Sequence, residues 1–461
     1  MTPRRAEPLT QSLLQDTIVH DWFHPMENAL EKVRDWDAIF QSLPMTSFTW
    51  LVGLRQRLSM DTLREPIQTL FHWDSAATRV PVPRSTWSDA MGSGIRRAIL
   101  RQAMNHLVTF ARATLADKLV GVEGIGQRPV LAIDATYQEA SSHYKRVLPE
   151  EGGSDHQKGP MLLTYDDMLT GIPVNINTET ASMGEMRVLK EDNPQASDWS
   201  RVRGAIYVVD RAFIDGGYWD ESKKKLKATV MTRLKSTLVY PPTQSREVLP
   251  LACNENVIWD TVIKLQSAKP SWRLVEWQSP AGIVYEYLSN DFSLEPGVVA
   301  FLYYRRWDEE KYFDHFKHDL ANAKAWGKKP VAIEQQALMG MMTYLLTPLF
   351  LQRRFKALGL SKSDETQAYK QAQKVACYLT LCEQGDMDAL NEKEDDDDEG
   401  EPLPQYDAYR AFYAQLSKIT RQVWRFLKNC FREKSSLALY QRQLKPLLLG
   451  YLWILIGHRY Q

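Results

Sequence analysis

The sequence is poor in cysteine and has neither a long apolar run nor an apolar leader. Its 461 residues include four cysteines, none of them in a C-x-x-C pair, which argues against a disulfide scaffold and a zinc ribbon and favours a reducing cytoplasm. The most apolar stretch, residues 447–457, is shorter than the roughly 20 residues that cross a bilayer. The first 15 residues show no signal core. We therefore expect a cytoplasmic protein that does not enter a membrane.

The sequence also lacks net charge, because Lys+Arg and Asp+Glu both total 57. Residues 392–401 (EKEDDDDEGE) nevertheless contain eight acids and one base, which gives this segment a charge of −7 and the remainder +7. A nucleic-acid partner is therefore not excluded. Together with Pro402 and Pro404, this acidic run predicts a solvated linker over residues 386–404, although a mobile acidic tract could also screen a basic DNA surface.

The hydrophobic pattern divides the chain into helical ends and a mixed centre. Helical spacing dominates residues 11–115, where a short helix near 65–73 and another that opens at Arg84 and Ser85 fit either a helix-turn-helix or a plain helical bundle. After Arg128 the pattern predicts three strands, a helix, a strand over residues 205–213, a helix and a strand. Gly171 and Pro173 predict a hairpin between the second and third strands. That is the order of a ribonuclease-H-like fold, one of several mixed α/β topologies that fit. Residues 238–297 predict a β-meander before the next helix.

These patterns predict seven segments along the chain. They are a helical, DNA-binding N-terminal region (1–120), the first part of a mixed α/β core (121–237), a β-rich insertion (238–297), a core helix (298–330), a helical region (331–385), the acidic linker (386–404) and a helical C-terminal region (405–461).

Three carboxylates occupy sequence positions that are unusual for an acidic residue. Asp134 and Asp210 each end an apolar strand, and Glu310 lies in the middle of the helix that follows the β-rich segment. An ionised carboxylate among apolar strand residues is costly to bury unless something compensates its charge. Where several carboxylates converge, a divalent cation such as Mg²⁺ is the usual compensation. Taken singly, a strand-end aspartate more often caps a loop than binds a metal, and a glutamate in a helix more often lies on a solvated face.

The helix around Glu310 carries one polar stripe of mixed charge. At about 100° per residue, five residues fall within an arc of about 80°. They are Tyr303, Arg306, Glu310, Asp314 and Lys317. An acid between an arginine and a lysine suits a surface that binds a metal and a phosphodiester together. The alternative is a ladder of i, i+4 charge pairs, in which Glu310 and Asp314 would repel each other.

Part of this stripe resembles the signature of the insertion-sequence-4 family of DDE transposases. Its Y-(2)-R-(3)-E-(6)-K pattern is matched without a gap by Tyr303, Arg306, Glu310 and Lys317. IDATYQ around Asp134 and VVDRAFIDG around Asp210 resemble the family's blocks that carry the first and second catalytic aspartates. TRLK (232–235) and RSTWSDA (84–90) are also similar to segments of its members, so the resemblance covers about residues 80–325.

The resemblance implies an α/β protein with a ribonuclease-H-like catalytic core and an inserted β-rich subdomain, flanked by helical N- and C-terminal regions. The catalytic and metal-binding residues would be Asp134, Asp210 and Glu310, and the DNA-contacting residues Tyr303, Arg306 and Lys317. The three acids would hold two Mg²⁺ ions about 3.5–4 Å apart, with Mn²⁺ as a substitute.

The activity that the resemblance implies is cut-and-paste transposition. The protein would cleave double-stranded DNA at the terminal inverted repeats of a transposon and transfer the ends into target DNA, as a homodimer acting at the bacterial nucleoid. In some members a tryptophan of the insertion stacks on a flipped base, but no motif selects among Trp259, Trp272 and Trp277. The alternatives are a nuclease or junction resolvase with the same fold and metals, and a catalytically inactive DNA-binding repressor.

Overall fold

The computed structural model describes residues 17–33, 40, 43–46, 48–49, 52–53, 84–139, 158–179, 184–190, 198–235, 238, 240–279, 282–306, 325–327, 329–357, 362–363 and 366. The helices are α1 (Thr17–Glu31), α2 (Arg84–Met91), α3 (Gly94–Thr114), α4 (Glu185–Lys190), α5 (Gly216–Leu226), α6 (Pro296–Arg305) and α7 (Pro330–Ala357). The strands are β1 (Val130–Glu139), β2 (Lys158–Asp167), β3 (Ile172–Glu179), β4 (Ile206–Val209), β5 (Thr229–Arg233), β6 (Pro242–Ser245), β7 (Val257–Ile263), β8 (Trp272–Gln278) and β9 (Val284–Ser289). Short 3-10 helices are Asp198–Arg201, Arg211–Phe213 and Ala252–Asn254.

These strands form one sheet in the order β3-β2-β1-β4-β5-β9-β8-β7-β6. Strands β1, β4 and β5 run parallel, and every other pair of neighbours is antiparallel. Strand β4 is apolar and buried at all its positions, as expected of a central parallel strand whose two faces are both covered.

Side chains of the central strands alternate between two cores, one on each face of the sheet. Ala132 and Val208 pack on the face covered by α6, where Leu302 belongs to the same core. Ile133 and Val209 pack on the opposite face, in a core shared with α1, α3, α5 and α7. This alternation follows from the two-residue period of a strand, and it decides which strand residues meet α6.

The β-rich segment predicted over residues 238–297 extends the core sheet. Strand β9 pairs with β5, with Met231 opposite Ser289, and β8 and β7 follow as an antiparallel meander. The short edge strand β6 was not predicted, because its four residues are polar or proline and all of them are exposed. The expected subdomain therefore shares main-chain hydrogen bonds with the core.

Most predicted elements of the centre are present, with shifted ends. The predicted hairpin is confirmed, since β2 and β3 are antiparallel and Gly171 in their turn has φ 66°. The strand predicted over residues 205–213 is too long, because the backbone turns after Val209 and a 3-10 helix follows. The helix predicted to open at Arg84 and Ser85 is confirmed, since α2 begins at Arg84.

Several predictions concern segments outside the described residues. These are the helix near 65–73 with its helix-turn-helix, most of the helical region after Ala357, the acidic linker 386–404 and the C-terminal region 405–461. None of the helices that the structure describes combines the length and the apolarity that crossing a bilayer requires.

Candidate active site

Two aspartates lie side by side where the parallel strands β1 and β4 stop pairing. The last residues in register are Ile133 and Val209, and Asp134 and Asp210 come directly after them. Register partners in parallel strands point to the same face, and neighbouring strands lie about 4.8 Å apart. Both carboxylates therefore belong to the face covered by α6. The structure thus brings together two of the three acids selected from the sequence.

Asp134 and Asp210 differ in their strand position and in the hydrogen bonds of their side chains. Asp210 follows the end of β4, as predicted, and its side chain makes no capping hydrogen bond to the 3-10 helix that comes next. Asp134 was expected at a strand end but lies inside β1, because the antiparallel pairing with β2 continues to Glu139. One carboxylate oxygen of Asp134 accepts a hydrogen bond from the Ala135 amide at 2.8 Å.

Helix α6 is fixed at its start by the β-rich segment. The Asn254 side chain accepts a hydrogen bond from the Gly297 amide at 3.0 Å and donates one to Glu295 at 2.8 Å. A Cβ atom on Gly297 would lie 1.6 Å from the carbonyl oxygen of Cys253. Only glycine permits this approach, so the 3-10 turn and the first turn of α6 are held in direct contact.

The end of α6 meets the aspartates through Arg306. Its guanidinium donates a hydrogen bond to Asp134 at 2.8 Å, and the two side chains are only 7% and 14% exposed. The same guanidinium carbon lies 5.3 Å from the centre of the Tyr303 ring. Arg306 therefore neutralises Asp134 inside the protein, which is the compensation that a carboxylate in this position needs.

Tyr303 is buried beside the second aspartate. Burial raises the pKa of its hydroxyl and the negative charge of Asp210 raises it further, while the Arg306 guanidinium acts in the opposite direction. The Tyr303 hydroxyl is accordingly protonated at neutral pH and is available as a hydrogen-bond donor next to Asp210.

The predicted DNA-contacting residues differ in how far the structure describes them. Tyr303 and Arg306 are both buried, and Arg306 is engaged with Asp134. Their contact with DNA stays a prediction. Lys317 and the third predicted acid, Glu310, lie outside the described residues, as does all of the proposed stripe after Arg306.

Sequence reasoning missed Arg233, which is near the aspartates in the sheet. In the sequence, TRLK is only a resemblance to the family, because the register that brings Arg233 next to Asp210 comes from pairing between distant segments. Tyr285 and Tyr287 of β9 were missed for the same reason. Their rings are stacked at 6.4 Å, and the Tyr287 ring lies 5.1 Å from that of Tyr303.

The three tryptophans of the β-rich segment have different environments. Trp272 is buried and its indole donates a hydrogen bond to Asp220 at 3.1 Å. Trp277 is half-buried, and its indole donates to the Glu255 carbonyl. Trp259 is 55% exposed and pairs across the sheet with Glu276. Of the three, Trp259 offers the most ring surface to solvent.

The donor atoms at this site suit a hard divalent cation. Carboxylate oxygens of two adjacent aspartates on one face are the ligand type that Mg²⁺ prefers. Among the described residues, no group of three or more His, Cys, Asp or Glu side chains is arranged to hold a metal ion. The described part therefore supplies two of the predicted ligands, and Glu310 would be the third.

A family model that matches the centre of the chain agrees with the chemistry of these residues. Residues 125–346 match the family model described as a transposase DDE domain, a range that contains both aspartates and α6. No curated protein matches the chain. Among solved structures, the chain is similar to a piggyBac transposase, seen by cryo-EM in a synaptic complex with hairpin DNA. The identity is 12%, the alignment covers 86% of this chain and 82% of that one, and the TM-score is 0.37. The family match supports a DDE transposase, an enzyme of DNA transposition and recombination that transfers phosphoryl groups on nucleic acid.

Proposed function

We propose that this protein is a cut-and-paste DNA transposase of the insertion-sequence-4 type. It would cleave DNA at the ends of a transposon and join the released 3′ ends to target DNA. The observation that carries the proposal is the register that aligns Asp134 with Asp210 on the face under α6, within the segment that matches the transposase DDE domain.

The strand order supports a ribonuclease-H-like core within the proposal. Strands β3-β2-β1-β4-β5 have an antiparallel hairpin at one edge and three parallel strands beside it. Strands β6 to β9 lie in the chain between the second aspartate and α6. This position supports the proposed insertion between the second and third acidic residues.

The proposed mechanism is in-line phosphoryl transfer at a site that holds divalent metal, for which we propose Mg²⁺. Asp134, Asp210 and Glu310 would be its ligands. When bound, the metal would activate the attacking oxygen and stabilise the leaving oxygen. Around it, the protonated Tyr303 hydroxyl is suited to donate a hydrogen bond to a phosphate oxygen. Arg306 supplies a planar fork of donors that can serve a carboxylate or a phosphate.

The proposed partners, DNA and a second protomer, follow from the reaction that joins two transposon ends to target DNA. Transposition brings two DNA ends together with one target, so a synaptic complex requires two active sites and we propose a homodimer on DNA. Lys317 would be a further phosphate contact. We place this activity in the bacterial cytoplasm.

The experiment uses DNA that contains the gene with its flanking sequences. Purified protein and Mg²⁺ are expected to produce double-strand breaks on both sides of the gene. Asp134→Asn, Asp210→Asn and Glu310→Gln should each abolish cleavage and retain DNA binding, because each removes a metal ligand but no phosphate contact. Glu309→Gln is the matched control and should cleave normally, since adjacent residues of the helix that the sequence predicts here would point about 100° apart.

The same assay separates the competing functions. Near-normal cleavage by any of the three ligand variants would contradict the assigned triad. Cleavage confined to four-way junctions or to RNA strands of hybrids would identify a resolvase or ribonuclease. Sequence-specific binding of the flanking DNA without any metal-dependent cleavage would identify a repressor.

A further inference from the structure

Helix α3 has an exposed face that carries no charge. Its exposed residues are all uncharged, and they are Gly94, Ile95, Ala98, Gln102, Asn105, Thr109, Phe110 and Ala113. A helix face that meets only water normally carries charged side chains. Two large apolar side chains lie on this one instead, since Ile95 is 50% and Phe110 is 41% exposed. The α3 face therefore has the composition of a surface that contacts another protein.

The positive charges of α3 are engaged within the same protein. The helix contains four arginines and no acidic residue. Arg97 and Arg101 both donate to Glu334, Arg112 is paired with an aspartate of β2, and Arg96 is buried. The α3 face thus offers no cation to the phosphates of DNA. Two copies of the face could meet without repulsion between like charges.

The exposed residues are arranged symmetrically about Gln102. Ile95 comes seven residues before Gln102 and Phe110 eight residues after it, which is about 10–12 Å on each side. Ala98 comes four residues before Gln102 and Asn105 three after it. If two such helices run antiparallel about a twofold axis at Gln102, each Ile95 meets the partner's Phe110. Each Ala98 likewise meets the partner's Asn105.

The same pairs also agree in their position around the helix. At about 100° per residue with Gln102 at zero, Ile95 and Phe110 lie on one side of the face, near 20° and 80°. Ala98 and Asn105 lie on the other side, near −40° and −60°. A twofold axis perpendicular to both helices brings like sides together. The α3 face is therefore complementary to itself, as a contact between two identical copies requires.

We infer that α3 pairs with α3 of a second copy of this chain, in an antiparallel contact centred on Gln102. The inference deepens the proposed homodimer and rests on the proposed function only for the DNA that brings two copies together. Beyond Phe110 the helix is engaged within its own chain, because Lys362 donates to the Ala113 carbonyl at 2.9 Å. The contact therefore extends from Ile95 to Phe110.

The size of this contact determines when it forms. A strip about 23 Å long and about 10 Å wide covers roughly 230 Å² on each copy, whereas a stable complex buries about 800 Å² on each partner. The pairing of α3 should therefore be weak between free molecules. It should become populated when two copies bind neighbouring DNA ends, because tethering raises their effective concentration.

Disulfide trapping without DNA tests the geometry. Packed helices have axes about 8–10 Å apart and Cα atoms about 2.3 Å from each axis. The two Gln102 Cα atoms would then be about 3.5–5.5 Å apart, which overlaps the range of about 4.4–6.8 Å for a disulfide. In concentrated full-length protein under mild oxidation by copper phenanthroline in air, Gln102→Cys should therefore form a covalent dimer.

Ala113→Cys is the matched control, because it also places a cysteine at an exposed position of α3. In the antiparallel pair its two copies would be about 33 Å apart, so its covalent dimer should form several-fold more slowly. The wild type measures the background from the four native cysteines. Equal rates for the two variants would overturn the inference, since random collision does not distinguish the two positions.

A second test separates pairing from folding. Ile95→Lys and Phe110→Glu, each combined with Gln102→Cys, should slow cross-linking when either protein is alone, because a charge then lies against an apolar side chain. An equal mixture should cross-link faster than either protein, since the introduced lysine of one copy meets the introduced glutamate of the other. Mixing cannot repair a defect in folding. Failure of the mixture to recover would contradict the contact.

The cross-linking assay contains no DNA, so its result is independent of the proposed function. Cross-linking at Gln102 by a protein that does not cleave DNA would support the α3 contact and refute the transposase activity. Cleavage by a protein that cross-links no faster at Gln102 than at Ala113 would do the reverse. If a segment of the same chain covers the α3 face, no covalent dimer should form at any protein concentration, and the inference would be overturned.

Discussion

At the scale of single residues, Asp134 and Arg306 form an ion pair that is almost closed to water. The partners come from the centre of β1 and the end of α6, so the pair joins the sheet to the helix. Taking two charges out of water costs several kcal/mol for each, and their attraction repays this cost only while both are present. Removing the charge of one partner should therefore lower the stability of the folded protein more than removing both charges.

We expect Arg306→Met to lower the free energy of unfolding by about 3–5 kcal/mol, because it leaves the Asp134 carboxylate buried without its cation. Asp134→Asn together with Arg306→Met should cost less than the sum of the two single changes. Urea denaturation of the four proteins measures this coupling. Arg211→Met, at an exposed arginine next to Asp210, is the control and should change stability by no more than about 0.5 kcal/mol. Additive single effects would show that the pair is not coupled.

Asp291 makes stability depend on acid pH. Burial alone would raise its pKa, but hydrogen bonds from Ser293 and the Arg128 guanidinium lower it from 3.8 to about 2. Since the folded pKa is below the unfolded one, this stabilisation is present above about pH 4 and is lost as the pH falls toward 2. Between these values, wild-type stability should fall by about 2 kcal/mol more than that of Asp291→Asn. Denaturant titrations across this range measure the difference, and parallel curves would contradict the assignment.

At the scale of elements, the start of α6 controls where its end lies. The Gly297 amide and the Asn254 side chain connect this helix to the 3-10 turn of the β-rich segment. Arg306 follows directly after the last residue of the same helix, and its partner is Asp134. A rotation of the first turn would therefore be transmitted to Tyr303 and Arg306. The β-rich segment thus contributes to the site by orienting α6.

Gly297→Ala tests this connection. The added methyl group would overlap the Cys253 carbonyl, and we expect a loss of about 1–3 kcal/mol in stability together with reduced DNA cleavage. Gly94→Ala is the matched control at the start of α3, where a Cβ atom meets nothing within 4 Å. It should stabilise the protein by up to about 1 kcal/mol. Equal effects of the two changes, measured by thermal unfolding and cleavage, would mean that the contact at Gly297 is not required.

Elements with a local signal could be predicted from the sequence, and those defined by distant pairing could not. Apolar runs predicted β1, β4 and β5, and Gly171 predicted the hairpin. The position of Asp134 inside its strand depends on β2, which continues the pairing past the aspartate. The alignment of Arg233 with Asp210 depends on the pairing register between separate segments. Strand β6 has no hydrophobic pattern from which it could be predicted. The two aspartates were identifiable because an acid at the end of an apolar strand is unusual in itself.

At the scale of the whole molecule, the pairing of β5 with β9 makes the core and the β-rich segment one sheet. Central strands with buried faces should open only with global unfolding, whereas an exposed edge opens locally. We expect the amides of β1, β4 and β5 to exchange with deuterium most slowly. The exchange rates of β7 to β9 should be of a similar order of magnitude, and those of β6 should be the fastest. Mass spectrometry of labelled peptides measures this order. Exchange of β8 and β9 far ahead of β1 would show that the β-rich segment unfolds as a separate unit.

Strand β6 ends this sheet on its outer side, and its composition has a consequence for solubility. An open edge is a template on which another chain can add a strand, and the risk grows when copies are crowded. Transposition as proposed here would crowd two copies at paired DNA ends. A short, fully exposed strand that begins with Pro242 presents few donors for such growth. The two protomers of the proposed synaptic complex are therefore expected to pair on DNA without aggregation through this edge.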